Sequence, residues 1–240
     1  MNKKIAVCGK GGVGKTTITC GILNYLLDLN LTPVLVVDAD PNSNLAENLG
    51  IEYNLTIADI REELRSLEIP QHISKADYIT MRLQEAIVEK KGFDLIVMGR
   101  PEGKECYCFV NELLRTFLSN ISKNYKYILI DTEAGMEHFS RRTTDNIDIL
   151  IIVINPAKVS IQTAKKILEM IPKLKLKIAT TKVLLNFFDN NKNEFDIKVD
   201  GIINKDEIIY NYSESGIHLL NNLHNTNFYS DLKKFLEKIV

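Results

Sequence analysis

The sequence contains no tryptophan, only four cysteines among 240 residues, and a formal net charge of −1. A near-neutral balance gives no electrostatic support for a nucleic-acid partner, and no apolar stretch approaches the roughly 20 residues of a membrane-spanning helix. The short apolar segment behind Lys3 and Lys4 runs directly into the chain's clearest motif, which argues against a cleaved signal. So few cysteines favour free thiols or metal ligands over disulfides. We therefore expect a cytoplasmic protein without a nucleic-acid or membrane partner.

What is present is ordinary globular composition, 45% hydrophobic and 25% charged, with apolar runs that alternate with amphipathic segments. This alternation predicts an α/β fold of three layers: a mostly parallel sheet with helices on both faces, in a single domain over residues 1–240. The polar stretch Asn186–Asp196 is predicted to be an exposed loop. The predicted strands are Lys3–Cys8, Pro33–Val37, Phe93–Met98, Tyr127–Ile130, Ile149–Ile154, Lys177–Leu185 and Ile197–Ile203.

The most informative motif is a glycine-rich loop between the first predicted strand and a predicted helix over Thr17–Leu29. Residues Gly9–Thr16, GKGGVGKT, match G-x-x-x-x-G-K-[ST] in full. Backbone N–H groups of such a loop, together with the helix N-terminus, form an anion site. Lys15 is expected to reach the β- and γ-phosphates, and Thr16 to offer its hydroxyl to Mg²⁺.

The same residues also satisfy the dinucleotide fingerprint G-x-G-x-x-G, with Asp38 at a suitable distance downstream. A pyrophosphate bound without magnesium needs neither Lys15 nor Thr16, so the pair favours a nucleoside triphosphate.

Carboxylates follow two of the predicted strands. Asp38 and Asp40 leave the second strand, and one could hold Mg²⁺ through water while the other orients the attacking water. Asp131 ends the fourth strand, where a Walker-B carboxylate would bind Mg²⁺ indirectly, and Gly135 behind it could act as a hinge. The alternative is that these acids only cap helices.

GKGGVGKT, with Lys10 as well as Lys15, resembles the deviant Walker A motif of the MinD/ParA/nitrogenase-iron-protein class of dimeric ATPases. The resemblance implies that Lys10 crosses a dimer interface to the partner's nucleotide, that Asp40 activates water, and that Asp131–Gly135 is the second switch. It also implies that Asn186 contacts adenine, as does the segment Ile203–Asp206, in which Asn204 stands where the family has a proline. The residues implied in ATP binding are Gly9, Lys10, Gly11, Gly12, Val13, Gly14, Lys15, Thr16, Thr17, Asp38, Asp131 and Asn186.

A C-x-C pair, Cys106 and Cys108, follows the third predicted strand. One subunit offers two thiolates, whereas a closed tetrahedral site needs four, which a two-fold dimer would complete. The pair alone is a weak signal, since incidental thiols are common. Its context, GRPEG…CYC together with DTEAGMEHFSRRT, closely resembles the CooC family of ATPases, which support nickel insertion into carbon monoxide dehydrogenase and its acetyl-CoA synthase relatives. The resemblance implies that Cys106 and Cys108 bind Ni²⁺ or Zn²⁺ across a nucleotide-dependent homodimer that serves such a client.

Three other functions fit parts of the sequence. An electron-transfer protein could hold an iron–sulfur cluster with the same four thiolates. A positioning ATPase could bind lipid through the amphipathic C-terminal segment that contains Phe228 and Leu232, although such a helix more often packs on its own domain. A DNA-partitioning ATPase finds no support in the charge. Cys8 and Cys20 are predicted to be core residues.

Overall fold

The computed structural model describes residues 2–66, 73–100, 116–132, 146–173, 177–189 and 195–240. The strands are β1 Lys3–Gly9, β2 Val34–Ala39, β3 Ile87–Lys90, β4 Phe93–Val97, β5 Tyr127–Thr132, β6 Asn146–Ile154, β7 Lys177–Phe188 and β8 Gly201–Asn204. The helices are α1 Lys15–Asp28, α2 Asn44–Leu49, α3 Ile57–Ser66, α4 Lys75–Glu85, α5 (described over 116–122), α6 Lys158–Met170, α7 Glu207–Ser215 and α8 Asn227–Leu236.

The strands form one sheet in the order β3-β4-β2-β5-β1-β6-β7-β8. Every pairing is parallel except that of β3 with β4. Parallel strands place their carboxyl ends at one edge of the sheet, so the carboxyl ends of β1, β2, β5 and β7 lie on the same side. The predicted α/β fold with a mostly parallel sheet is confirmed.

Two apolar clusters lie on opposite faces of the sheet because successive side chains of each strand alternate between them. Ile5 and Val7 of β1 join α1, α2 and α8 on one face, whereas Ala6 and Cys8 join α3, α4 and α6 on the other. The predicted three layers are therefore present. Cys8 and Cys20 are fully buried, which confirms their prediction as core residues.

Helix α8 packs on its own domain, as the sequence predicts. Its apolar side chains Phe228, Leu232, Phe235 and Leu236 are almost completely buried against the α1 face of the sheet. The apolar surface that a lipid-binding helix would have to expose therefore lies inside the protein. Within the described residues, no helix has both the length and the hydropathy required to cross a membrane.

Three features of the structure differ from what the sequence predicts. The short antiparallel strand β3 was not predicted. The last strand begins at Gly201 instead of Ile197, because the Asp200 carboxylate accepts the backbone N–H of Val183 at 2.9 Å in place of a ladder carbonyl. Asn186 to Phe188 are not loop residues, since they continue β7 beside β8.

Candidate nucleotide site

The loop between β1 and α1 is held tightly against the ends of two neighbouring strands. A Cβ on Gly9, whose φ is 145°, would lie 2.2 Å from the carbonyl oxygen of Val153 in β6. A Cβ on Gly14, whose φ is 87°, would lie 2.5 Å from the Asn186 amide nitrogen in β7. Only glycine fits either position. The glycines of the motif therefore determine the path of the loop, and they also leave its backbone N–H groups accessible to a ligand.

Helix α1 begins directly behind Gly14, and its described first turn carries no acidic side chain to oppose an anion. Lys15 is only 8% exposed, and its Nζ donates to the Lys10 carbonyl at 3.4 Å, so the ammonium lies over the loop. Lys10 itself is exposed. The two lysines therefore occupy opposite environments: one covers its own loop, and the other is presented to solvent.

Asp131, at the end of β5, is tied to the same helix. The Thr16 hydroxyl donates to Asp131 Oδ2 at 2.8 Å, and the Thr19 hydroxyl donates to Asp131 Oδ1 at 3.2 Å. Thr19 was missed in the sequence analysis. Its signal was its spacing of three residues from Thr16, which places both hydroxyls on one face of α1.

Asp38 and Asp40 lie beside this pair. Asp38 is directly opposite Asp131 in the β2–β5 register and is fully buried, and its carboxylate accepts the N–H groups of Asp40 and Leu45 at 3.2 and 3.1 Å. The second of these bonds satisfies a donor in the first turn of α2, so the capping role that the sequence allowed is present as well. Asp40 is partly exposed, and its Oδ1 accepts the N–H of Asn42 at 2.9 Å.

Both buried carboxyls resist ionisation. Burial raises the pKa of Asp38, and the neighbouring Asp131 raises it further, against the lowering effect of its two backbone donors. Burial also raises the pKa of Asp131, opposed by the Thr16 hydroxyl and the charge of Lys15. Two desolvated carboxyls on adjacent strands favour a nearby cation, because it would stabilise their charged forms.

This donor set fits Mg²⁺, which prefers oxygen ligands and is usually held by a few protein groups with water and phosphate. Thr16 offers a hydroxyl, and Asp38 and Asp131 offer carboxylates at the carboxyl ends of adjacent strands. Thr16 and Asp131 are thus brought together with Asp38, one of the two acids after β2 between which the sequence left the choice open.

Asn186 contacts the loop from the other side. It is buried at the end of β7, and its amide nitrogen donates to the Val13 carbonyl at 2.9 Å. In the segment Ile203–Asp206, the Asp206 carboxylate accepts the backbone N–H groups of Ile208 and Phe228, both at 2.9 Å, which ties together the starts of α7 and α8. Contacts of Asn186 and of this segment with adenine stay a prediction.

The C-x-C pair Cys106 and Cys108, and the second-switch residues Glu133–Gly135, lie outside the described residues. Within the described part of the chain, no group of three or more His, Cys, Asp or Glu side chains is arranged to hold a metal ion. Burial raises the pKa of Cys8 to about 12 and that of Cys20 well above its usual range, so neither is a ready thiolate ligand.

Comparison with known proteins agrees with this geometry. A family model described as an AAA domain matches residues 2–187. An uncharacterized ATP-binding protein of Methanocaldococcus jannaschii is 42% identical, over 98% of both chains. The carbon monoxide dehydrogenase accessory protein CooC of Rhodospirillum rubrum is 38% identical, over 68% of this chain and 67% of that protein.

The fold is shared with solved structures of lower identity. The septum site-determining protein MinD from Pyrococcus horikoshii, complexed with Mg-ADP, superposes with a TM-score of 0.68 at 21% identity, covering 100% of this chain and 96% of that one. A ParA family ATPase from Chlorobium tepidum gives a TM-score of 0.70 at 21% identity, covering 98% and 97%. The chain therefore belongs to this AAA domain family of ATP-binding P-loop ATPases, with the fold of the MinD and ParA proteins.

Proposed function

We propose that this ATPase is a dimeric maturation factor that couples Mg-ATP hydrolysis to nickel insertion into an enzyme of the carbon monoxide dehydrogenase type. The 38% identity with a carbon monoxide dehydrogenase accessory protein carries this proposal. The similarity to MinD is lower, at 24% identity, and the apolar side of α8 is buried, so a membrane-positioning role has less support.

In the proposed mechanism, the loop N–H groups and Lys15 bind the phosphates of ATP. Thr16, together with the carboxylates of Asp38 and Asp131, would hold Mg²⁺, which would supply positive charge to offset the negative charge on the transferring phosphoryl group. Asp40, which is partly exposed beside them, orients the attacking water. Lys10, exposed on the loop, reaches the nucleotide of a second subunit and makes dimerisation depend on ATP.

The nickel or zinc ion is the cargo. Cys106 and Cys108 of both subunits supply four thiolates around one ion in the ATP-bound dimer. Hydrolysis weakens the interface and alters the thiolate geometry, so the ion passes to the client enzyme. ATP drives this transfer through its different affinities for the two dimer states.

Anaerobic metal analysis tests the cargo directly. Purified protein is loaded with nickel or zinc, with and without ATP, beside a Cys106→Ala/Cys108→Ala variant. Cys20→Ala serves as the matched control, because it removes a thiol that is buried in the core. We expect about one ion per dimer in the wild type and in the control, and none in the double variant.

Other outcomes contradict the proposal in distinguishable ways. Iron recovered with sulfide would indicate the electron-transfer function instead. Full metal content in the double variant would place the ion at other ligands. The maturation role would be wrong if the metal-loaded protein, with ATP, did not activate a nickel-free client enzyme.

A further inference from the structure

Phe187 places an aromatic ring against the nucleotide loop. It follows Asn186 at the end of β7 and has a φ of 58°, a conformation that bulky residues rarely adopt. Its ring atoms Cζ and Cε2 lie 3.2 and 3.6 Å from the point where a Cβ on Gly14 would stand. The residue nevertheless stays 39% exposed. A large apolar face is thus kept partly in water, beside the residue where α1 begins.

The neighbouring aromatic residue of the same strand, Phe188, has a packing role. Phe188 joins the second apolar cluster and meets Phe195 edge to face, with ring centroids 6.1 Å apart. Phe187 belongs to neither apolar cluster, and the register of β7 against β8 shifts between Leu185 and Phe188, on either side of it. Its position beside Gly14 is therefore not explained by packing on this face of the sheet.

The charge distribution indicates which part of a nucleotide would meet Phe187. Strand order places the carboxylates Asp131 and Asp38 on one side of β1, on β5 and β2, and Phe187 on the other side, on β7. The acidic side suits a cation and the terminal phosphates. The opposite side presents an exposed aromatic ring, whose face suits a flat, apolar group, whereas the neighbouring Asn186 is buried and its amide nitrogen already donates to the Val13 carbonyl.

We propose that Phe187 is the platform on which the base of the bound nucleotide stacks. The inference rests on the proposed ATP site at the loop. It adds a residue through which the base of the nucleotide contributes to the binding affinity. An aromatic face stacks on any base, whereas hydrogen bonds to the edge discriminate among bases. Phe187 therefore raises the affinity for nucleotides over bare polyphosphate, and it does so by a similar factor for ATP and GTP.

Calorimetric titrations of the magnesium complexes of ATP, GTP and tripolyphosphate test this role in the wild type, Phe187→Ala and Phe187→Tyr. We expect Phe187→Ala to weaken ATP and GTP on the order of tenfold, with tripolyphosphate unchanged. Phe187→Tyr keeps an aromatic face and should bind all three like the wild type. Met81→Ala, which removes a similarly exposed apolar side chain on α4 (43%), is the matched control and should leave all three affinities unchanged.

Unchanged ATP affinity in Phe187→Ala overturns the stacking role. An equal loss for tripolyphosphate also overturns it, because the ring would then only support the loop. Lys15→Ala separates this from the underlying site: if that variant keeps wild-type affinity for tripolyphosphate, the proposed phosphate site itself is wrong, whatever Phe187 does.

Discussion

Lys10 and Lys15 lie on one loop but in opposite environments, and this difference predicts separable effects. Lys15 is nearly buried over the loop, whereas Lys10 is exposed. We expect Lys15→Ala to weaken ATP binding by about ten- to a hundredfold, the loss of one or two charge-assisted hydrogen bonds. Lys10→Ala should leave the ATP affinity of a single subunit close to wild type.

The same Lys10→Ala variant should lose ATP-induced dimerisation and turnover. Light scattering coupled to size exclusion, with and without a non-hydrolysable ATP analogue, measures the first, and phosphate release measures the second. A Lys10→Ala protein that still dimerises and turns over would show that the exposed lysine has no role across an interface.

At the scale of elements, α1 and α8 approach each other at Gly21. A Cβ there would lie 2.3 Å from Leu232 Cδ2 and 3.2 Å from Phe228 Cε1. We expect Gly21→Ala to destabilise the protein by about 1–2 kcal/mol, because overpacking outweighs the better helix propensity of alanine. Thermal unfolding should show a decrease in Tm of about 2–8 °C.

Gly11→Ala is a suitable comparison, since no atom lies within 4 Å of its Cβ position, and it should leave the Tm unchanged. In the double variant Gly21→Ala/Leu232→Ala, the loss of unfolding free energy should be smaller than the sum of the losses in the two single variants. Additive costs would mean that the two side chains do not compete for space.

A second contact between α1 and the C-terminal region pairs a histidine with a carboxylate. His224 Nε2 lies 2.9 Å from Asp28 Oδ1, and its Nδ1 lies 3.2 Å from the Asn221 carbonyl oxygen. With two acceptors the ring is best satisfied as an imidazolium. The bond to Asp28 raises the pKa of His224 above 6.5. Burial raises the pKa of Asp28, but the bonds from His224 and Tyr229 outweigh it and lower the pKa below 3.8.

A raised histidine pKa stabilises the folded state fully below about 6.5, and this stabilisation is lost as the pH rises through the folded pKa. Because the pair is partly exposed, its contribution is only about 0.2–1 kcal/mol. We expect His224→Gln to lower the Tm by up to about 3 °C at pH 5.5 and to have almost no effect at pH 9.

His218→Gln is the matched control, since the ring of His218 faces a backbone carbonyl, that of Glu47, instead of a carboxylate. It should show no such difference between the two pH values. A Tm loss in His224→Gln that is equal at both pH values would contradict the ion pair.

Periodicity and one motif predicted most of the strands and the first helix, because parallel strands and the phosphate loop depend on local patterns. They did not predict β3, whose four residues are only half apolar and become a strand through pairing with β4. Nor could composition show that Asn186 is buried, because its partner, the Val13 carbonyl, is 173 residues away. The role of Phe187 was hidden for the same reason: it depends on the contact with Gly14 and on a left-handed φ.

At the scale of the whole molecule, the proposed cycle separates ATP binding, hydrolysis and metal transfer, and each step has its own residues. ATP closes the dimer through Lys10, Asp40 directs water, and the cysteines hold the cargo. A variant that loses only hydrolysis should therefore remain a closed dimer with its bound ion, instead of dissociating into subunits.

Asp40→Asn is the substitution that makes this separation measurable. An asparagine keeps an oxygen in the position of Oδ1, which accepts the N–H of Asn42, so the turn after β2 is retained. It removes the negative charge that orients water, and we expect turnover to fall by about a hundred- to ten-thousandfold with ATP affinity preserved. With ATP present, the variant should remain dimeric and keep its bound nickel or zinc, whereas the wild type releases the ion as ATP is consumed. An Asp40→Asn protein that hydrolyses ATP normally would remove Asp40 from catalysis, and one that stays dimeric but releases its ion would show that metal transfer does not require hydrolysis.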